Sequence, residues 1–378
     1  MLYELISWLD DLYAIPGFGA FDFITTRTAF AAATALIISL IIGKKIIHWL
    51  IRMQLKEVIR DDIGLQTHLK KGDTPTMGGV IIIFATVLPA LLWMNVNSIY
   101  TWMIVFVVIV LGLVGFIDDY IKVVKKNKSG LHGWFKVIGQ IFVGVVIGSV
   151  LYFWPEFQDF NTITTVPFLK EVNIDYAFLG QQYGWLIYIP VVVFIITAVS
   201  NSANLTDGLD GLLSGTSAIA GVILGIFAYV SGRVDFSSFL NIMYLPGAGE
   251  LTIFAASLVG ACLGFLWYNS NPASVFMGDT GSLAIGGALG AFAIMIHKEL
   301  LLPIICGIFV VESLSVIIQT SWFKYTKRKY GVGRRVFLMS PIHHHFEKQG
   351  WAESKIVVRF WIIAILLGIL SLLTLKLR

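Results

Sequence analysis

Trp102-Met103-Ile104-Val105-Phe106-Val107-Val108-Ile109-Val110-Leu111-Gly112-Leu113-Val114-Gly115-Phe116-Ile117 runs for sixteen residues without a charge and stops on Asp118-Asp119. A run of this length and apolarity is too uniform for one face of a soluble helix and matches what the core of a bilayer demands. Ile187–Ala198 and Phe360–Leu375 repeat the pattern. The whole chain agrees: 57% of its 378 residues are hydrophobic and 13% charged, with a mean hydropathy of +0.82. Soluble domains carry about a quarter charged residues.

Working outward, about ten spans are expected, near 24–49, 76–94, 99–117, 134–154, 184–201, 211–231, 250–268, 281–297, 301–323 and 356–376. The expected fold is therefore an all-α, polytopic transmembrane bundle forming one membrane domain over residues 1–378. Met1–Phe23 holds Glu4, Asp10, Asp11 and Asp22 but no basic residue, which argues against a cleaved secretory signal. Pro16-Gly17-Phe18-Gly19 reads as a loop leading into the first span. Cys262 and Cys306 both fall inside spans, which excludes a disulfide framework or thiolate metal site.

Charge placement sets the expected topology. Of the 27 Lys and Arg, 21 fall in the loops, or the span ends beside them, after spans one, three and nine. Arg27, Lys170, Arg233, Lys298, Lys376 and Arg378 fall on the other side. The positive-inside rule then places both termini outside and the basic loops in the cytoplasm. Trp49, Trp93, Trp154, Trp185 and Trp322 lie near span ends, where an aromatic belt belongs. The long external loop Pro155–Tyr183 is rich in Thr, Val and Phe and is a candidate for a small hairpin.

Topology also brings five carboxylates to one depth: Asp118, Asp119, Asp207, Asp210 and Asp279. An acid at a span end can simply face water, but these five have unusual settings. Asp118-Asp119 occupies a span end where a basic anchor is the norm, and adjacent helical positions point about 100° apart. Asp207 and Asp210 lie three residues apart, and Gly208 and Gly211 leave room for close approach. Asp279 follows a polar stretch, Asn269-Ser270-Asn271-Pro272, and opens an apolar helix, where backbone N–H groups meet anions. Carboxylates beside Lys70, Lys71, Lys122 and Lys136 suit Mg²⁺ and a nucleotide diphosphate, since Mg²⁺ takes one or two carboxylates plus phosphate oxygens. No Walker A or dinucleotide glycine pattern is present. His343-His344-His345 follows Ser340-Pro341-Ile342; three adjacent histidines cannot converge on one metal from a regular helix, so they read as donors to phosphate or sugar oxygens. Glu312, inside a span with Gln319 two turns on, is either functional or one end of an interhelical hydrogen bond.

Five stretches occur in one order: Lys71-Gly72-Asp73-Thr74-Pro75-Thr76-Met77-Gly78-Gly79, Asp118-Asp119, Asn204–Gly211, Phe276–Ser282 and Ser340–Glu347. In these the chain resembles the phospho-N-acetylmuramoyl-pentapeptide transferases, within the polyprenyl-phosphate N-acetylhexosamine-1-phosphate transferase superfamily. The resemblance covers the chain from about residue 20 onward; Asp73 departs from it, standing where Gly or Ala is usual. It implies ten helices, a homodimer in the bacterial inner membrane, and Mg²⁺-dependent formation of lipid I and UMP from UDP-MurNAc-pentapeptide and undecaprenyl phosphate. No nucleic-acid partner is expected. Carried over by position, Asp279 binds Mg²⁺, Asp118 lies beside the lipid phosphate as candidate base, and Asp119 supports the site. Asp210, Asn269 and Phe276 hold uracil; Asn204 and Asp207 shape the nucleotide pocket; Lys71, Lys122 and Lys136 contact phosphates. His343, His344 and His345 lie near the diphosphate or sugar-peptide, with His344 among the catalytic candidates. Two readings compete. A UDP-GlcNAc transferase shares the superfamily, but the His343–Glu347 spelling resembles the muramoyl-pentapeptide branch. A transporter needs relay acids at mid-span, where only Glu312 stands.

Overall fold

The structure, a computed structural model, describes residues 1–53, 74–125, 130–158, 160, 162–169, 172–178 and 180–376. In chain order its main helices are α1 (Leu2–Tyr13), α2 (Ile24–Arg52), α3 (Gly79–Trp93), α4 (Ile99–Val123), α5 (Gly133–Phe153), α6 (Trp185–Thr206), α7 (Leu212–Ser231), α8 (Val234–Leu240) and α9 (Glu250–Asn269). They continue as α10 (Gly278–Met295), α11 (Leu302–Ile305), α12 (Gly307–Tyr330), α13 (Ile342–Lys348) and α14 (Glu353–Leu373). Every expected span falls on a helix. Among the described residues seven helices are long and apolar enough to cross a membrane, or eight with one bent pair. This is an all-α polytopic membrane protein.

The expected spans that fall outside those seven differ for physical reasons. α3 has only 15 residues. α10 is rich in Gly and Ala, and every residue from Thr280 to Met295 is buried, so it is enclosed by protein and needs little apolarity of its own. The run 301–323 is broken: Glu299–Ile305 and Gly307–Tyr330 meet at 81°. Residues 155–183 contain the expected hairpin, a two-stranded antiparallel sheet of β1 (Ile163–Thr165) and β2 (Asn173–Asp175) that pairs Ile163 with Asp175. Before Pro16 the chain forms α1, and the expected loop is a turn at Pro16-Gly17 followed by a short 3₁₀ helix, Phe18–Asp22; α1 leaves Leu5, Trp8 and Leu12 exposed at three- and four-residue spacing.

Small residues let the helices approach closely, as membrane packing requires. A Cβ on Gly260 of α9 would strike the Ala32 carbonyl of α2, and one on Gly115 of α4 would strike the Asp279 carbonyl of α10. At the end of the bundle opposite the carboxylates, Arg27 is buried. It pairs with Glu250 at 2.8 Å and donates to the Trp93 carbonyl, while Glu250 also accepts the Asn95 N–H. A buried charge is tolerable only with partners of this kind. Its guanidinium also lies over the Tyr3 ring, which fixes α1 to the bundle.

Candidate active site

The last turns of α4 carry the Asp118-Asp119 pair, α5 starts beside it, and α10 starts against both. Carboxylate oxygens of Asp118, Asp119 and Asp279 all lie within 4.8 Å of one another. Lys122, one turn beyond Asp118, places Nζ 3.1 Å from Asp279 Oδ2 and in an ion pair with Asp118. Lys136, at the start of α5, lies 2.8 Å from Asp118 Oδ2 and pairs with Asp279 as well. Asn204, near the end of α6, donates from Nδ2 to Asp279 Oδ1 at 2.8 Å and to Ser282 Oγ at 2.8 Å.

The two adjacent acids have different work. Asp119 accepts from Thr280 N at 2.9 Å, Thr280 Oγ1 at 2.6 Å and Asp279 N at 3.2 Å. It therefore satisfies the orphan N–H groups that begin α10, from outside that helix. Gly278 precedes them at φ +73°, and a Cβ there would stand 2.6 Å from Asp119 Oδ2; only glycine allows both the turn and the cap. Asp118 is fully buried, and its Oδ1 accepts the Leu131 N–H at 2.6 Å. Its Oδ2 receives no well-directed hydrogen bond and faces the lysine ammonium groups at ion-pair distance. The three converging carboxylates form an all-oxygen donor set of the kind a hard divalent ion takes, with the two lysine ammonium groups balancing part of their charge.

The turn Asn204–Gly211 connects this cluster to two others. Asp210 Oδ2 accepts from Asn271 Nδ2 and Ala273 N, both at 3.1 Å. Asn269 Oδ1 accepts Gly211 N at 3.0 Å and Ser214 Oγ at 3.3 Å, while its Nδ2 donates to the Val275 carbonyl at 3.0 Å. Phe276 is half-buried; its N–H donates to the Pro75 carbonyl and its carbonyl accepts the Gly78 N–H, so residues 75–79 and 276–277 are laced together. Asp207 is half-buried at the end of α6.

The three histidines go three ways. His343 is buried with Nδ1 3.0 Å from Glu312 Oε2, and its Nε2 lies so near Gly208 that a Cβ there could not fit. His344 Nδ1 lies 2.6 Å from Glu347 Oε2, and His345 Nδ1 accepts the Leu338 N–H at 3.1 Å. Glu312 thus has a histidine partner across from it. It begins a polar stripe on α12: Gln319 Oε1 accepts Val336 N and Phe337 N, and Thr326 Oγ1 accepts Arg334 N. Lys71 lies outside the described residues.

Residues 101–297 match the family model described as Glycosyl transferase family 4. Residues 71–83 match Phospho-N-acetylmuramoyl-pentapeptide-transferase signature 1. The chain is 53% identical to the phospho-N-acetylmuramoyl-pentapeptide-transferase of Chloroherpeton thalassium, 52% to that of Salinibacter ruber and 51% to that of Flavobacterium psychrophilum, each over all of both chains. The chain belongs to the phospho-N-acetylmuramoyl-pentapeptide transferase family. The signature of that family includes Pro75, whose carbonyl is joined to Phe276, and Gly79, whose Cα packs against the α10 backbone at Gly281.

Reasoning from sequence missed Glu353, Asn271 and Thr280. Thr280 was foreseeable as a helix-entry residue. Glu353 looks like any acid in the first turn of a helix, and nothing local ties it to Asp210, 143 residues earlier.

Proposed function

We propose that this chain transfers phospho-MurNAc-pentapeptide from UDP-MurNAc-pentapeptide to undecaprenyl phosphate, giving lipid I and UMP as the first membrane step of peptidoglycan synthesis. The observation that carries this reading is the meeting of Asp118, Asp119 and Asp279 with Lys122 and Lys136 at one end of the bundle, in a chain more than half identical to enzymes of that name. The basic loops at that end support placing the site on the cytoplasmic face of a bacterial inner membrane, with both termini external. The resemblance supports a homodimer and a single membrane domain.

The chemistry requires two anions, a lipid phosphate and a diphosphate, to meet. Lys122 and Lys136 offset part of their charge, and Asn204 holds the Asp279 carboxylate in place. Asp279 would hold Mg²⁺, with Asp118 beside it facing the lipid phosphate. Bound there, the ion would stabilise charge developing on the diphosphate oxygens. Asp119 would hold Asp279 by capping α10. Asp210, Asn269 and Phe276 would hold the uracil, beside Asn204 and Asp207. His344, with His343 and His345, would donate to diphosphate or sugar oxygens.

Direct attack is the simpler route. A lipid phosphate with a second pKa of about 6 is largely dianionic near neutrality, so it needs little deprotonation. Its oxygen attacks the donor's β-phosphorus, the bond to the bridging oxygen breaks, and UMP leaves with the electron pair. Positioning and charge stabilisation then supply most of the acceleration, with Asp118 taking the residual proton where the phosphate is a monoanion. The test is turnover by purified protein with labelled UDP-MurNAc-pentapeptide against UDP-GlcNAc. Release of UMP only from the first supports the reading, and efficient use of UDP-GlcNAc overturns it.

A further inference from the structure

Glu353 is the first residue of α14 and is nine-tenths buried. An acid at a helix start normally needs no further account, because the N-terminal dipole favours it there. Here, however, both of its oxygens reach across the chain. Oε1 accepts the Asp210 backbone N–H at 2.7 Å, and Oε2 accepts Asn271 Nδ2 at 3.0 Å. The same Asn271 nitrogen donates to Asp210 Oδ2 at 3.1 Å. One carboxylate therefore fastens together the 207–211 turn, the 270–277 loop and the start of the last helix. Asn269 fastens the same turn from its other side, through Gly211 and Ser214.

Two carboxylates bridged by one amide are an unfavourable arrangement unless something fixes them, since like charges repel. The bridging amide and the Asp210 N–H offset that repulsion, and they also leave Asp210 with little freedom to turn. A uracil ring presents one N–H donor between two carbonyl acceptors. Reading it requires an acceptor held still, with donors to either side, and a carboxylate swinging on a loose turn would read it poorly.

We propose that Glu353 is a positioning residue for the uracil-bearing nucleoside diphosphate, acting through Asp210 and Asn271. The proposal rests on the assignment of Asp210 and Asn269 to the nucleotide pocket under the proposed function. Losing Glu353 leaves the buried Asp210 N–H without its acceptor and frees Asn271 from one of its two carboxylate partners, while the carboxylate and lysine cluster around Asp118 is untouched. The effect therefore belongs to donor binding and not to the chemical step.

The experiment uses full-length Glu353→Ala and Glu353→Gln, with direct binding of UMP and CMP and steady-state kinetics for both substrates. For Glu353→Ala we expect donor KM and the UMP Kd to rise about tenfold, from one lost charge-assisted hydrogen bond. Acceptor KM and kcat should stay within about threefold, and the preference for UMP over CMP should narrow by a similar factor to the loss in UMP affinity. Glu353→Gln keeps one acceptor for the Asp210 N–H, so its effect should be smaller and in the same direction; it decides the matter if the alanine variant does not fold. A fall in kcat alone, or an unchanged UMP Kd and UMP/CMP ratio, overturns the positioning role. Wild-type protein that binds UMP but transfers nothing from a UDP-linked donor would instead refute the proposed activity and leave the Glu353 binding test standing.

Discussion

Gly115→Ala separates backbone packing from side-chain chemistry at the acidic cluster. Gly115 has no contact with substrate in the proposed reaction; its part is to let α4 touch α10. An added Cβ would stand 2.6 Å from the Thr280 nitrogen and closer still to the Asp279 carbonyl, whereas real Cβ atoms essentially never approach within 3.0 Å. Both neighbours are backbone atoms, so no side chain can rotate away, and the helices must part by roughly 1 Å at the residue that carries Asp279. Overpacking of this kind costs about 1–3 kcal/mol of stability. A displacement of about 1 Å in a catalytic group costs on the order of 10²-fold in rate, or about 2.7 kcal/mol in the barrier. The control is Gly112→Ala, one turn earlier, where the intruding Cβ meets only the far end of Ile83, which can move. Initial rates of lipid I formation, normalised to folded protein by detergent size exclusion, should fall by about two orders of magnitude for Gly115→Ala and by less than about threefold for Gly112→Ala. Equal rates for the two variants would mean that the α4–α10 spacing does not set the position of Asp279.

Asp279→Asn should abolish transfer while the protein stays folded in detergent, because a metal ligand rather than core packing is lost; near-normal turnover at ordinary Mg²⁺ would move the metal elsewhere. Asp118→Asn should lose rate most below the phosphate pKa of about 6 and recover in part as pH rises to about 8, since the dianion then forms without a base. A loss that is flat with pH would leave Asp118 an electrostatic role alone. Reporter fusions after Lys128 and Lys329 should read cytoplasmic and one after Lys170 external; agreement between the 128 and 170 reporters would break the topology. His344→Ala should slow transfer far more than Lys329→Ala, since an exposed loop charge is worth little, and equal effects would remove His344 from the site.

The helices and their order were legible because apolar runs such as 102–117 have few other physical explanations. Of the five carboxylates that charge placement put at one depth, Asp118, Asp119 and Asp279 converge, while Asp210 is held in a separate group with Asn271 and Glu353. What each contact does was not legible. Asp118 and Asp119 are neighbours in sequence, and only the position of α10 shows that one caps a helix while the other faces two lysines. The 81° break falls between Pro303 and Gly307, two residues that punctuate helices, but the apolar run continues unbroken through them and so reads as one span. Glu312 was visible as an intramembrane acid, but its partner His343 lies 31 residues away and could not be chosen over other donors by periodicity. Glu353 was hidden by the ordinariness of an acid at a helix start.

The stripe of Glu312, Gln319 and Thr326 on α12 has a consequence for which changes of length this protein can tolerate. The three residues recur every seven positions, two turns apart, and each holds a different point of the strand of chain that returns to the histidines. Adding or deleting one residue between Glu312 and Gln319 would rotate everything beyond it by about 100°. Gln319 and Thr326 would then swing away from the Val336, Phe337 and Arg334 N–H groups, and no side-chain adjustment could bring them back. The segment from 312 to 343 behaves as a ruler. Its individual residues can vary wherever they face outward, but its count between Glu312 and Thr326 cannot. Insertion scanning along α12 should find single-residue additions lethal between Glu312 and Thr326.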